Sequence, residues 1–225
     1  EEHGFMIIAF QEIKEHVGGF EIRKMNKQDL RRHVPDFLVG GGVMSLSNTE
    51  LLIYREDLHI DLPTPSNSVS IDVESTTPLI NPWHITSEQQ AIGVAESFSI
   101  FNRFYGEIFH SIPTGRQRLH SPVELRLKGC SQHSVIITDP QIEADALGHS
   151  DASVITVEAK KDVNEIHAKQ LFLPMHDAIS RLRESGHGHA VRPTVLCFRG
   201  EGTFDLYELE FSELSDITSH GIISS

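Results

Sequence analysis

Three ionisable side chains sit where a folded chain ordinarily places apolar ones. The run "QIEADAL" carries Asp145 among Ile142, Ala144 and Ala146, and "SVITVEAK" closes on Glu158 and Lys160. Strand side chains alternate between faces. Glu143, Asp145 and Leu147 therefore share one face of the first run, and Thr156, Glu158 and Lys160 share one face of the second. If the two strands are neighbours, Asp145, Glu158 and Lys160 converge at one end of a sheet. Two carboxylates of hard oxygen character hold a divalent cation such as Mg2+, with water completing its shell. An ammonium beside them orients a water or stabilises charge developing on a phosphate. A solvated strand end with an exposed ion pair would be worth little, but "VITVEAKK" is otherwise as apolar as a central strand.

The flanking segments indicate what would position these groups. "TSEQQAIGVAESFSIFNRFYGEIF" places apolar residues at 91, 94, 95, 98, 101, 105 and 108, the period of one wide-faced helix. Thr86 or Ser87, with a glutamine three residues later, supplies a capping box. Strand-like runs follow at 122–128, at 134–138 leading into 141–147, and at 152–159. A helix is expected over roughly 164–184, kinked or broken at Pro174, which lacks a backbone donor. Strands at 194–198 and 203–211 join through the turn Gly200-Glu201-Gly202. Upstream, a helix or helix-turn stops near Pro35, glycines 40–42 form a turn, and short strands cover 43–46 and 51–54. The predicted fold class is α/β, a mixed sheet flanked by helices with a smaller N-terminal α+β region. The predicted divisions are an N-terminal region 1–62, a Pro/Ser/Thr-rich connecting segment 63–84 and a core 85–225.

An Asp, a gap, and then acidic-x-Lys at the end of a strand resembles the PD-(D/E)XK nuclease superfamily, as does the order helix, three strands, helix, two strands. "QIEADALG", "ITVEAK" and "HAKQLFLP", preceded by "TSEQQAIGVA" and "GR", are similar to a bacterial restriction-endonuclease-like family. In that family a Q-I-E-x-D strand, an E-A-K strand and a Q-L-x-x-P helix recur in this order. The resemblance spans about residues 20–211 and is strongest over 86–174. One departure is Pro140, which lies five residues ahead of Asp145 instead of directly before it.

The resemblance implies a restriction-endonuclease-like fold, Asp145 and Glu158 as Mg2+ ligands, and Lys160 as the catalytic lysine. It places Gln170 on the helix after the lysine strand, against the attacking water or the DNA backbone; the plainer reading is an exposed amide. The implied activity is Mg2+-dependent hydrolysis of double-stranded DNA by a type II restriction enzyme or related defence nuclease. A homodimer and a cognate DNA methyltransferase in the same system follow by the same analogy. Two alternatives remain: a structure-specific repair or recombination nuclease, and a noncatalytic DNA- or protein-binding module that keeps the nuclease fold.

Glu143 is either a third site carboxylate or a flanking surface charge. Glu88 either completes a metal site from across the cleft or simply complements a helix dipole. Phosphate contacts need cations, and these cluster: Arg23, Lys24, Lys27, Arg31 and Arg32 in one segment, Arg116, Arg118, Arg126 and Lys128 in another. Residues 201–216, by contrast, hold six acids and no Arg or Lys, as expected if one surface meets DNA and the last hairpin faces away. His187 and His189 lie in a glycine-flanked loop, and the fourteen histidines show no zinc spacing.

The 225 residues carry a net charge of -13, which excludes a uniformly basic coat for nucleic acid but not a local basic cleft. Cys130 and Cys197 form no Cys-x-x-Cys pair, so a reducing, cytoplasmic setting is the simplest expectation. No apolar run approaches the ~20 residues that span a bilayer, and the acidic start has the wrong sign for a secretory signal. The chain begins on Glu1, not Met, as a piece of a longer protein would.

Overall fold

The computed structural model describes residues 5–17, 31–33, 40–70, 82–127 and 134–225. The element that organises them is strand β11 (Ser153–Lys161), in which every residue but Lys161 is buried. Its β-branched run Val154-Ile155-Thr156-Val157 favours an extended chain. It lies inside a mixed six-stranded sheet of order β15-β14-β13-β11-β10-β5. The other strands are β5 (His110–Ile112), β10 (Ala146–His149), β13 (Ala190–Gly200), β14 (Thr203–Phe211) and β15 (His220–Ser224). Strand β11 pairs antiparallel with β10 and parallel with β13. The parallel crossover runs through helix α4 (Lys169–Glu184), the element a parallel pair requires.

Each face of this sheet has its own cover. On one, Ile155, Val157 and Ala159 of β11 join Leu196, Phe198 and Leu206 under helix α2 (Glu88–Ser97) and helix α3 (Ile100–Tyr105). On the other, Val195, Cys197, Tyr207 and Leu209 pack against Leu171, Phe172 and Met175 of α4. Each fully buried aliphatic side chain of this kind contributes about 1.5–3 kcal/mol. By alternation, Thr156, Glu158 and Lys160 belong to the α4 face.

Met44, Leu46, Leu52 and Tyr54 enter the same apolar cluster as Leu171 and Phe172. They come from β2 (Gly42–Ser45), β3 (Glu50–Tyr54) and the turn between them, in a sheet of order β1-β3-β2 whose remaining strand is β1 (Phe5–Ala9). Helix α1 (Phe10–Val17) follows β1 directly. Strand β4 (His59–Asp61) pairs with β12 (Glu165–His167), just ahead of α4. The expected strands at 43–46 and 51–54 are present to within a residue. In the glycine triplet before them, Gly40 has φ +76, and an added Cβ on Gly41 would lie 2.1 Å from the Tyr54 carbonyl oxygen.

The structure corrects four expectations. The single helix expected from Thr86 is two, because Phe98 closes α2 and Ser99 is left-handed at φ 54. Ser97 Oγ also bonds the Gly93 carbonyl at 2.7 Å, diverting the ladder at the break. The last apolar position of that pattern, Ile108, is 71% exposed beyond the end of α3. The runs at 122–128 and 134–138 form their own hairpin, β7 (Val123–Arg126) with β8 (Ser134–Ile137), outside the main sheet. The first strand of the main sheet is instead β5, three residues long and without a readable pattern. Residues 141–147 do not make one strand: β9 (Gln141–Ile142) pairs with β6 (Gln117–Arg118), and β10 starts at Ala146.

The fourth correction concerns α4, which starts at Lys169, not near 164, and continues through Pro174. That proline costs the bond to the carbonyl four residues back, in the first turn, and its ring is buried in compensation. The hairpin at Gly200 is as expected, with Glu201 (φ 50) and Gly202 (φ 75) both left-handed, as a two-residue turn requires. Most of the expected helix-turn over 24–38 lies outside the described residues, and Arg31–His33 form a short 3-10 turn.

Candidate functional site

Strands β10 and β11 are neighbours, with Ala146 opposite Val157. One residue before β10, the Asp145 amide donates to the Val157 carbonyl at 3.0 Å. There β10 gives way to irregular backbone, and the Asp145 side chain takes over the ladder. Its Oδ2 accepts the Ala159 amide at 2.8 Å. The carboxylate is thereby anchored to the strand that carries the other two groups.

Glu158 and Lys160 are 6% and 8% exposed, so they are not a solvated strand end. A buried charge must be paired to be tolerated, and Lys160 Nζ lies 2.6 Å from Glu158 Oε1. The same oxygen accepts Gln170 Nε2 at 2.5 Å from the first turn of α4. Gln170 is therefore an oriented group and not an exposed amide. Its other end, Oε1, is buried and has no hydrogen-bond partner among the described residues. From the opposite layer, Glu88 Oε1 comes within 3.8 Å of Lys160 Nζ. Ser87 caps α2 by accepting the Gln90 amide at 3.2 Å, and Gln90 Oε1 accepts the Thr86 amide at 2.8 Å. The capping signal is thus real, with the return bond made one residue earlier than the usual box.

Glu143 does not join this group. It is exposed and pairs with Arg116 at 3.2 Å, since the chain between β9 and β10 leaves the sheet. Among the described residues, no three His, Cys, Asp or Glu side chains are grouped to hold a metal ion. That includes His187 and His189, whose rings lie 5.4 Å apart. The groups that could serve a metal are two carboxylates and an amide oxygen, hard oxygens of the kind Mg2+ takes; that ion keeps several waters and uses few protein ligands.

The expected cations fare unevenly. Arg23, Lys24 and Lys27 lie outside the described residues. Arg31 is committed to carboxylates, 2.7 Å from Asp57, 2.5 Å from Asp61 and 2.7 Å from Glu165. Arg118 is held by Asn48 and by the Asp139 carbonyl at 2.9 Å. Arg32 is exposed, and Arg116 makes its pair with Glu143 in the open. Arg116 follows Thr114, whose hydroxyl reaches the Asp145 carbonyl at 3.4 Å.

One supporting cluster had no sequence signal beyond its proximity to Gln170. His167 is fully buried, and its Nδ1 accepts the Lys169 amide at 3.2 Å. Nε2 must then carry the proton of the neutral ring and donate to Tyr54 Oη at 2.7 Å. Burial holds the imidazole well below its ordinary pKa and raises that of the Tyr54 hydroxyl. The bond ties the start of α4 to β3, which fixes the turn bearing Gln170.

Fold and site together define a mixed α/β, strand-rich protein with a buried carboxylate–lysine cluster toward the end of its central strand. The chain belongs to the family described as a domain of unknown function, DUF6997, which matches residues 54–225. No curated protein and no solved structure matches it. The matched span includes Glu88, Asp145, Glu158, Lys160 and Gln170. Among the described residues, no helix is long and apolar enough to cross a membrane.

Proposed function

We propose that this protein is a metal-dependent deoxyribonuclease with a restriction-endonuclease-like core. The observation that carries the reading is the anchoring of Asp145 to β11, through its amide on the Val157 carbonyl and its carboxylate on the Ala159 amide, with Lys160 and Gln170 both bonded to Glu158. Three strands, a crossover helix and a parallel fourth strand, with Asp145 just before the second strand and Glu158 on the third, support the fold assignment.

Asp145 and Glu158 would hold Mg2+, with Gln170 Oε1 as the neutral oxygen beside them. When bound, the ion would supply Lewis-acid stabilisation of charge on a phosphate oxygen. Lys160 keeps a positive charge fixed beside Glu158, where it would orient the attacking water and offset charge developing on the phosphodiester. Gln170 holds the Glu158 carboxylate in one rotamer, and the Ala159 amide does the same for Asp145. Glu88 would tune Lys160 from the other layer.

Arg32 and Arg116 are the described cations best placed to meet phosphates, because exposed ion pairs are weak and exchange readily. A type II restriction or related defence enzyme acting on double-stranded DNA, as a homodimer beside a cognate methyltransferase, is one biological setting for this chemistry. The test is plasmid cleavage with Mg2+ and with EDTA. Discrete bands support site-specific cutting, and smearing or branch-dependent cutting supports a repair or recombination role. Absence of cutting with Mg2+ refutes the enzyme and leaves a binding module on the same fold.

A further inference from the structure

Two histidines stand side by side at one edge of the main sheet. Strand β5 is the edge strand, and a ladder of three residue pairs joins it to β10. In that ladder His110 lies directly opposite His149. Directly opposed strand residues have Cβ atoms about 4.5–5.5 Å apart, so the backbone itself sets these two side chains together. Both residues are exposed, and their ring centroids lie 5.5 Å apart with 42° between the planes. Among the described residues, neither ring makes a hydrogen bond or an ion pair. Their nitrogens are uncommitted.

That separation suits a shared metal ion. A Zn–N bond of about 2.0–2.1 Å puts the ion about 3.2 Å from the centre of each imidazole, because the lone pair points radially out of the ring. Two rings on one tetrahedral ion then have centres about 5.2 Å apart, and at most about 6.4 Å if the ion lies on the line between them. The observed 5.5 Å falls inside this window, close to the tetrahedral value. His187 and His189 are equally close at 5.4 Å, but they lie in irregular backbone ahead of β13, where no strand ladder fixes them. Imidazole nitrogen suits Zn2+, Ni2+ and Cu2+, whereas Mg2+ takes oxygen. The pair therefore selects a different ion from the carboxylate–lysine cluster.

We infer that His110 and His149 bind a divalent cation of the Zn2+ class, which staples edge strand β5 to β10. Two protein ligands leave the other positions of the ion to water, so the ion exchanges with solvent. His149 ends β10, at the far end of that strand from Asp145. Four residues after His110, the Thr114 hydroxyl reaches the Asp145 carbonyl at 3.4 Å. The ion at one end and this contact at the other would hold residues 110–114 along β10. The inference does not rest on the nuclease reading.

The test is calorimetric titration of Zn2+ into metal-stripped protein kept in excess Mg2+, with melting temperature followed over the same additions. One saturable equivalent is expected. His110→Ala and His149→Ala should each weaken it at least about ten-fold, a loss that removing even an outer-shell partner can cause. Each should also abolish the Zn2+-dependent rise in melting temperature that binding to the native state produces. Without Zn2+ both variants should melt as the wild type does, because the two side chains are exposed. If either fails to fold, His110→Gln and His149→Gln take their place. Absence of a saturable equivalent, unchanged binding in either single variant, or its loss in the His187→Ala/His189→Ala double variant overturns the inference. Plasmid cleavage with Mg2+ alone is run separately: cutting without Zn2+ binding refutes only the staple, and Zn2+ binding without cutting refutes only the nuclease.

Discussion

Gln170 and Glu158 meet side chain to side chain at 2.5 Å, joining the first turn of α4 to the central strand of the sheet. The amide nitrogen is spent on the carboxylate, so the amide oxygen is left buried without a partner among the described residues. A buried acceptor left unmade costs about 1–3 kcal/mol. Under the proposed function, that oxygen is the one a bound ion would meet.

Replacing Gln170 should therefore separate metal affinity from folding. Gln170→Leu is expected to melt within about 1 kcal/mol of the wild type while needing roughly ten-fold more Mg2+ for half-maximal cleavage. A Mg2+ titration of plasmid cutting, alongside thermal melting, reads both. An unchanged titration would remove Gln170 from the site.

Lys160→Ala should lower cleavage by at least about 100-fold while DNA binding in EDTA is largely kept. It should also destabilise the fold by about 3 kcal/mol, because Glu158 is left as a buried, uncompensated charge. The double change Glu158→Gln with Lys160→Met should recover much of that stability and none of the activity. Full stability in Lys160→Ala would mean that the pair is solvated.

The His167 imidazole is held well below 6.5 by burial, so the fold favours its neutral form. A depressed histidine pKa stabilises the fold above the unfolded value, and that stability is lost as pH falls from about 6.5 toward the folded value. His176 shifts in the same direction, also by burial first. Melting temperature should fall as pH drops through 6 toward about 5, before most carboxylates titrate. His167→Gln should lower the melting temperature at neutral pH and flatten that slope; an unaltered slope would assign the acid sensitivity elsewhere.

Gly41→Ala should be severely destabilising, because its Cβ would lie 2.1 Å from the Tyr54 carbonyl oxygen and 3.0 Å from Arg55 Cα. Backbone cannot yield as a flexible side chain does, so a cost above about 3 kcal/mol is expected. Gly93→Ala, with nothing within 4 Å and a helical position, should instead be neutral or stabilising by about 1 kcal/mol. Urea unfolding of the two variants is the measurement, and equal midpoints would refute the close approach.

Which side chains share a buried face was written into the local pattern. Alternation is a property of a single strand, so the shared face of Glu158 and Lys160, and the burial of "VITVEAK", followed from spacing and composition alone. The capped start of α2 and the left-handed turn at Glu201 and Gly202 were equally local. Long-range partners were not. Only the tertiary structure decided that Asp145 accepts the Ala159 amide while Glu143, two residues away, leaves with Arg116. Only packing could make β5 the first strand of the sheet and turn the 122–138 runs into a separate hairpin, because three-residue strands are stabilised by neighbours and carry little propensity of their own. Whether Arg31 meets solvent or three carboxylates likewise depended on where β4 and β12 bring Asp57, Asp61 and Glu165. Side-chain type and period are set along the chain; the charge a side chain finally faces is set by segments far away in sequence.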